Sequence, residues 1–376
     1  MSITFARTDT SLLSRWWWTI DRWTIAALML LAALGIVLTM AASPAVAERL
    51  NQYDAFYFAR RQAAYLPAAL AIMLATSLLS PKGVLRAALI MLALAFVATI
   101  ATLFVGDNHN GATRWLYIAG LSVQPSEFLK AAFAVTSAWL IARSRVRDDF
   151  VGYPLTTLLL GSIAGVLVLQ PDIGTTILVC GAWCLQIFLA GCPLVLIALI
   201  GMVFVAGGFG AYAMFSHVRS RVDQFLDPAG NAGYQVKQAL EAFHAGGLFG
   251  RGPGEGHVKA ALPDAHADFI FAVAGEEFGL LICLLLVVLF GFIVLRGFIR
   301  AFKDSDLFVM LAGGGLVALF GMQALMNMGS AMHLIPPKGI TLPFISYGGS
   351  ATIAVAWSMG MVLALTRDRP DPGGRR

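Results

Sequence analysis

The sequence predicts an all-α polytopic membrane protein with about ten transmembrane helices and a long extracytoplasmic loop between the seventh and eighth spans. Three observations predict it. Of 376 residues, 59% are hydrophobic and only 12% are charged, against about 25% charged in an ordinary soluble domain. Apolar stretches recur at the length of about 20 residues that a helix needs to cross a hydrocarbon core. The ionisable residues lie between those stretches, above all in a hydrophilic passage from His217 to Asp268. The mean hydropathy of +0.78 agrees.

Read on that scale, the spans fall at 23–43, 62–79, 86–105, 124–142, 154–170, 173–190, 193–216, 269–295, 307–330 and 344–365. The first follows Arg7, Arg15 and Arg22 and is long enough to cross. It therefore reads as a retained helix, although Ala42-Ser43-Pro44-Ala45 resembles a signal cleavage site. From 154 to 216 the chain is nearly continuously apolar, and Pro171 and Pro193 help to place the cuts. Proline is tolerated in the first turn of a helix and disfavoured in its interior.

An even number of spans puts both termini on one side. With that side inside, fifteen of the 26 Lys and Arg lie in short inner segments, including Lys82, Arg86, Arg143, Arg145, Arg296, Arg300 and Lys303. The positive-inside bias favours this orientation and places the 217–268 loop outside. The chain 1–376 then reads as one transmembrane domain, with a cytoplasmic N-terminus at 1–22 and a cytoplasmic tail at 367–376 that is expected to be disordered.

The net charge of +5 gives no reason to invoke nucleic acid, because basic connectors are what orients a membrane protein. Cys180, Cys184, Cys192 and Cys283 lie in or beside apolar segments and form no CxxC or Cys/His spacing. They read as small hydrophobes rather than zinc ligands or disulfides.

Ionisable groups inside a span are costly and point to function by default. Glu127 and Lys130 stand at i and i+3 on the fourth span and share a face. They read equally as a neutralised pair holding the bundle together and as the wall of a polar cavity in which Lys130 meets a phosphate. In the preceding outer connector, Arg114 is suited to bidentate phosphate binding, and Trp115 to anchoring at the interface. The long loop offers Arg219, Arg221 and Asp223, then a glycine series from Gly246 to Gly256. That series lacks the Gly-Lys-Ser/Thr ending of a P-loop and reads as a flexible loop. Asp268 closes the loop just before an apolar run, with Glu276 and Glu277 about two turns deeper. A carboxylate there would serve as a general base given reach to a hydroxyl. It would equally cap the next helix, and the residues alone favour the cap.

Several segments together resemble the SEDS family (shape, elongation, division and sporulation). They are Gly111-Ala112-Thr113-Arg114-Trp115, Gln124-Pro125-Ser126-Glu127-Phe128-Leu129-Lys130, Gln170-Pro171-Asp172-Ile173-Gly174-Thr175, Gly233-Tyr234-Gln235, Gly252-Pro253-Gly254-Glu255-Gly256, Asp264-Ala265-His266-Ala267-Asp268-Phe269-Ile270-Phe271, and the long run Lys338 to Ser350. The resemblance covers nearly the whole chain. Trp16-Trp17-Trp18 and the Gly-Pro-Gly-Glu-Gly loop are closer to the division branch than to the elongation branch.

What the resemblance implies is a ten-helix fold and peptidoglycan glycosyltransferase activity on lipid II, an undecaprenyl-pyrophosphate-linked substrate, at the septal inner membrane. It implies that Asp268 is catalytic, and that Trp115, Glu127 and Lys130 border the working cavity. The family's His-Thr-Asp appears here as His266-Ala267-Asp268, without the hydroxyl. Arg114, Lys130, Arg219, Arg221 and Lys338 are the cations available to a pyrophosphate leaving group. A divalent cation, Mg or Mn, suits that chemistry, but no carboxylate cluster marks its site. The expected partners are a class b penicillin-binding protein transpeptidase and other division proteins. Alternatives are an elongation-type polymerase, a lipid II flippase using the Glu127–Lys130 cavity, and a scaffold that only recruits the transpeptidase.

Overall fold

The structure, a computed structural model, describes residues 11–109, 112–118, 120–146, 151–214, 219, 223, 234–336 and 339–368. Among them the helices are α1 (Leu12–Thr19), α2 (Arg22–Arg49), α3 (Tyr57–Ser77), α4 (Pro81–Val105), α5 (Pro125–Val146), α6 (Gly152–Leu169), α7 (Ile173–Leu189), α8 (Leu194–Met214), α9 (Tyr234–Gly246), α10 (Val258–Ala261), α11 (Ile270–Ala301), α12 (Leu307–Ala331) and α13 (Gly349–Leu365). α2 to α8 and α11 to α13 occupy the ten expected spans. The protein is a polytopic, essentially all-α membrane protein. Five of these helices, α2, α4, α6, α11 and α12, are long and apolar enough to cross a membrane by length and composition alone.

α5 sits at the centre, buried along almost its whole length and packed against α4, α6, α7, α12 and α13. Its polar residues lower its hydropathy because they face protein rather than lipid, as intramembrane polar groups must. At the end of the bundle where α2 begins, buried Asp21 caps α2 through Trp23 N (3.2 Å). Its carboxylate accepts a two-pronged bond from Arg296 at 2.6 and 2.8 Å and lies 3.2 Å from Arg300. Burial alone would raise the Asp21 pKa; the hydrogen bonds from Arg296 and Thr24 and the Arg300 charge outweigh it and hold it below the usual carboxylate value.

Four local readings of the sequence are corrected. The connector after α4 is a three-stranded antiparallel meander of β1 (Asp107–His109), β2 (Ala112–Ile118) and β3 (Leu121–Val123). It puts Arg114 on an ordered strand. The expected span at 269–295 is not one continuous helix, because Gly279 breaks α11 with φ 77° and ψ −174°.

Third, the glycine series is a docked element and not a flexible loop. Gly247 O accepts from Leu280 N (3.0 Å), while Arg251 N and Gly252 N donate to Glu276 O (2.9 Å) and Glu277 O (3.0 Å). These bonds satisfy backbone groups that the helix loses at its break. Glycine is required on both sides: a Cβ on Gly250 would stand 2.1 Å from Glu277 O, and one on Gly279 would stand 2.4 Å from Gly250 N. Two buried carboxylates complete the staple. Glu276 accepts from Val258 N (2.7 Å) and Lys259 N (2.8 Å). Glu277 accepts from Gly254 N (3.1 Å) and pairs with Lys259 Nζ.

Fourth, the last span begins at Gly349, not at 344. Residues 339–348 form a non-helical segment that dips against the middle of α2. Gly35 makes room for it, since a Cβ there would come within 2.2 Å of Phe344 O.

Candidate active site

Asp268 lies in the turn immediately before α11. It does not cap that helix: the cap position is Phe269, and no side chain makes a capping bond there. The carboxylate turns instead toward the 339–348 segment. A Cβ placed on Gly339 would stand 3.5 Å from Asp268 Oδ2 and 3.9 Å from Arg114 Nη1. The acid and the guanidinium therefore converge on one glycine, which has no side chain to block the space between them.

Three successive carbonyls hold this turn. His266 O accepts from Tyr347 N at 2.9 Å, Ala267 O from Ser346 Oγ at 2.5 Å, and Asp268 O from Asn327 Nδ2 at 2.9 Å. Asn327 also donates to Ile340 O at 2.7 Å. The absence of a hydroxyl at Ala267 leaves this clamp untouched, because every donor comes from α12 or the 339–348 segment. His266 is 8% exposed and packs between Phe58, at 4.3 Å, and Tyr347, at 5.3 Å. Its Nδ1 has no hydrogen-bond partner among the described residues. Burial pushes its pKa down to about 4, so the ring is neutral at physiological pH.

Arg114 reaches the site from β2. It donates to Gln170 O at 3.4 Å and to Pro171 O, and lies 3.8 Å from the Asp172 carboxylate. Asp172 in turn caps α7 through Thr175 N at 3.3 Å, so Arg114 is held by the α6–α7 turn. Trp115, its neighbour on β2, is half-buried.

Glu127 and Lys130 form an ion pair at 2.8 Å, 7% and 4% exposed. Lys130 also donates to Gln323 Oε1 at 2.6 Å, and Gln323 Nε2 donates to Thr341 O at 3.0 Å. The pair thus supports the 339–348 segment through α12. The adjoining cavity, lined by Glu127, Lys130, Gln323 and Ser358, holds about 10 Å³, roughly one water.

Arg219 stands apart from this group. It donates to Tyr212 O (3.4 Å) and Ala213 O (2.9 Å), closing the end of α8. Arg221 and Lys338 lie outside the described residues. Sequence reasoning missed Asn327 and Gln323, although two carboxamides one turn apart in an apolar span were a legible signal. It also missed Asp172 as the partner of Arg114, which nothing but folding brings together. Among the described residues no three His, Cys, Asp or Glu come together as a metal-binding group.

With this geometry in view, residues 21–370 match the sequence profile of the FtsW/RodA/SpoVE group, described as cell cycle proteins. The chain belongs to that family. A relative from Caulobacter vibrioides, named probable peptidoglycan glycosyltransferase FtsW, is 45% identical over 98% of this chain and 95% of its own. One of the same name from Coxiella burnetii is 34% identical over 93% and 96%. The rod shape determining protein RodA of Thermus thermophilus superposes with a TM-score of 0.69 at 26% identity, covering 93% of this chain and 97% of that one. A chain from a peptidoglycan synthase complex that coordinates polymerization and crosslinking superposes at 0.75, also at 26% identity, over 92% and 97%. A carboxylate and a guanidinium that converge in this way can together take a proton from a hydroxyl and offset negative charge nearby.

Proposed function

We infer that this protein is a peptidoglycan glycosyltransferase of cell division, polymerising lipid II into glycan strands at the outer face of the inner membrane, at the septum. The observation that carries the residue assignment is the convergence of Asp268 and Arg114 on Gly339. Asp268 removes the proton from the 4-hydroxyl of the acceptor sugar, and that oxygen attacks the anomeric carbon of the lipid-linked donor. The glycosidic C–O bond forms with inversion as the bond to the pyrophosphate breaks. The electron pair leaves with undecaprenyl pyrophosphate, and the proton remains on Asp268. The clamp on carbonyls 266–268 keeps the carboxylate in place, which counts because a displacement of about 1 Å can cost about a hundredfold in rate. Arg114 offsets charge in its neighbourhood, and Trp115 and the Lys130 network shape the surrounding wall. Lys338 and Arg221 remain candidate contacts to the pyrophosphate. A Mg or Mn ion would be held largely by the substrate's own pyrophosphate and would supply charge neutralisation there.

The crosslinking partner is a class b penicillin-binding protein, a reading supported by the kinship with a chain from a synthase complex. A flippase is disfavoured by the buried Glu127–Lys130 pair, whose cavity has room for about one water. The test is polymerisation of purified lipid II with and without the cognate transpeptidase. Wild-type protein forms glycan strands and Asp268→Asn forms none. Full polymerisation by Asp268→Asn would sink the assignment.

A further inference from the structure

The reaction just described needs positive charge at the pyrophosphate, yet two of the cations nominated for it are already matched. Arg114 faces Asp172 and Lys130 is paired with Glu127. A different arginine, Arg61, stands close by with no acid against it among the described residues. Tyr57, Arg61 and Tyr65 are spaced four residues apart and so lie on one face of α3. Arg61 Nη1 donates to Tyr57 Oη at 2.7 Å, and its guanidinium lies 5.4 Å from the Tyr57 ring and 5.8 Å from that of Tyr65. Among the described residues no carboxylate pairs with it. Its neighbour Arg60 has the opposite fate, forming a surface ion pair with Asp54 at 2.5 Å.

This face is built into the fold. Tyr65 lies flush on the start of α13, where a Cβ on Gly349 would come within 2.8 Å of its ring. Tyr347 closes the other side, packed edge-on against Phe58 at 5.1 Å. The four side chains are half-buried, not sealed, so a ligand can reach them. Together they offer a fixed planar cation and up to three phenolic O–H donors, a set suited to an anion with several oxygens. The depth is also telling. Arg61 is four residues into α3, about 6 Å from its outer end, where a lipid carries its phosphate.

The Arg61 cluster adjoins the Asp268 turn through Tyr347. The Tyr347 backbone is bonded to His266, two residues before Asp268, a separation of up to about 7 Å. In-line displacement puts the leaving group on the far face of the sugar from the attacking oxygen, about one sugar ring away from the base.

We propose that Arg61, with Tyr57, Tyr65 and Tyr347, binds the pyrophosphate of a polyprenyl-linked substrate at the outer end of α3. This rests on the glycosyltransferase reading for the identity of its ligand, but its binding test does not depend on catalysis. Purified full-length protein in phosphatidylcholine nanodiscs is titrated with undecaprenyl pyrophosphate, with uncharged undecaprenol, and with phosphatidylglycerol as competitor. Arg61→Gln is expected to weaken undecaprenyl pyrophosphate binding about tenfold or more and to leave undecaprenol unchanged. Asp268→Asn is expected to bind like wild type. If Arg61→Gln fails to fold, the Tyr57→Phe/Tyr65→Phe double variant keeps both rings, and a weakening of about threefold or more supports the site. An unchanged Kd in folded Arg61→Gln, or in the double variant where that is used, overturns the proposal. So does equal competition by phosphatidylglycerol, which would make this a site for bulk anionic lipid. Should Asp268→Asn polymerise lipid II normally while Arg61→Gln still loses binding, the catalytic reading falls and the anion site stands.

Discussion

The Asn327 carboxamide ties Asp268 to the segment facing it. Its Nδ2 donates to the Asp268 carbonyl at 2.9 Å and to the Ile340 carbonyl at 2.7 Å. One side chain on α12 thus sets the distance between the turn that carries the acid and the segment that carries Gly339. Replacing it by Ala leaves the buried Ile340 carbonyl and the part-buried Asp268 carbonyl without that donor, a cost of about 1–3 kcal/mol for the buried one. Asn327→Ala is therefore expected to slow lipid II polymerisation at least tenfold, chiefly in kcat, since the residue touches main chain rather than substrate. Asn327→Asp, which puts an acceptor against two acceptors, is expected to be worse. Steady-state kinetics on purified variants check both, and a wild-type kcat for Asn327→Ala would remove the positioning role.

Gly279 is expected to tolerate no side chain. Its φ of 77° is left-handed, which costs a non-glycine residue about 1–3 kcal/mol, and an added Cβ would meet Gly250 N at 2.4 Å. Gly279→Ala should lower the thermal midpoint by several degrees and loosen the glycine series from α11. Protease cleavage between 246 and 256 reads the second effect directly. An unshifted midpoint with unchanged cleavage would contradict the docked arrangement.

Protonation of His266 should destabilise the Asp268 turn in acid. Its folded pKa is depressed to about 4 from 6.5, chiefly by burial, with the Asp264 charge opposing and the Arg49 charge adding. The unfolded chain therefore binds the proton first as pH falls. Stability is full above about pH 6.5 and declines progressively as pH drops toward 4. Thermal midpoints of His266→Gln should be flatter than wild type across that window. Parallel curves for the two proteins would count against this account.

The Glu127–Lys130 pair should behave as a unit. Removing one partner leaves a buried, uncompensated charge, at a cost of about 3–5 kcal/mol. Glu127→Gln and Lys130→Met are each expected to be strongly destabilising, and the double variant less so than the sum. If the double variant regains stability but not polymerisation, Lys130 also serves the reaction through Gln323 and Thr341. Recovery of both would make the pair purely structural.

Much of this was legible before folding. Ten apolar stretches of spanning length, and basic residues gathered in alternate connectors, are one-dimensional quantities, because crossing a bilayer imposes a length and a charge bias on each segment separately. Asp268, Arg114, Glu127 and Lys130 could be nominated for a similar reason: charge at or inside a span is conspicuous by itself. What each does was not legible. The residues alone favoured a cap for Asp268, and the turn geometry, with Phe269 at the cap position, is what releases its carboxylate toward Gly339.

The opposite errors came from segments whose partners are distant in sequence. A glycine series looks flexible until the break at Gly279 supplies the backbone groups it bonds. The stretch 344–348 looks like a continuing span until Gly35, more than 300 residues earlier, makes room for it as a non-helical turn. Arg219 carries the same formal charge as Arg114, yet closes α8 while Arg114 meets Asp172. The sequence by itself determined the polytopic all-α class, the places of the apolar stretches and the chemical types available between them. Only the tertiary structure decided which way the Asp268 carboxylate turns, which cations are already matched, and which backbone is held, because each of those is a relation between groups the chain keeps far apart.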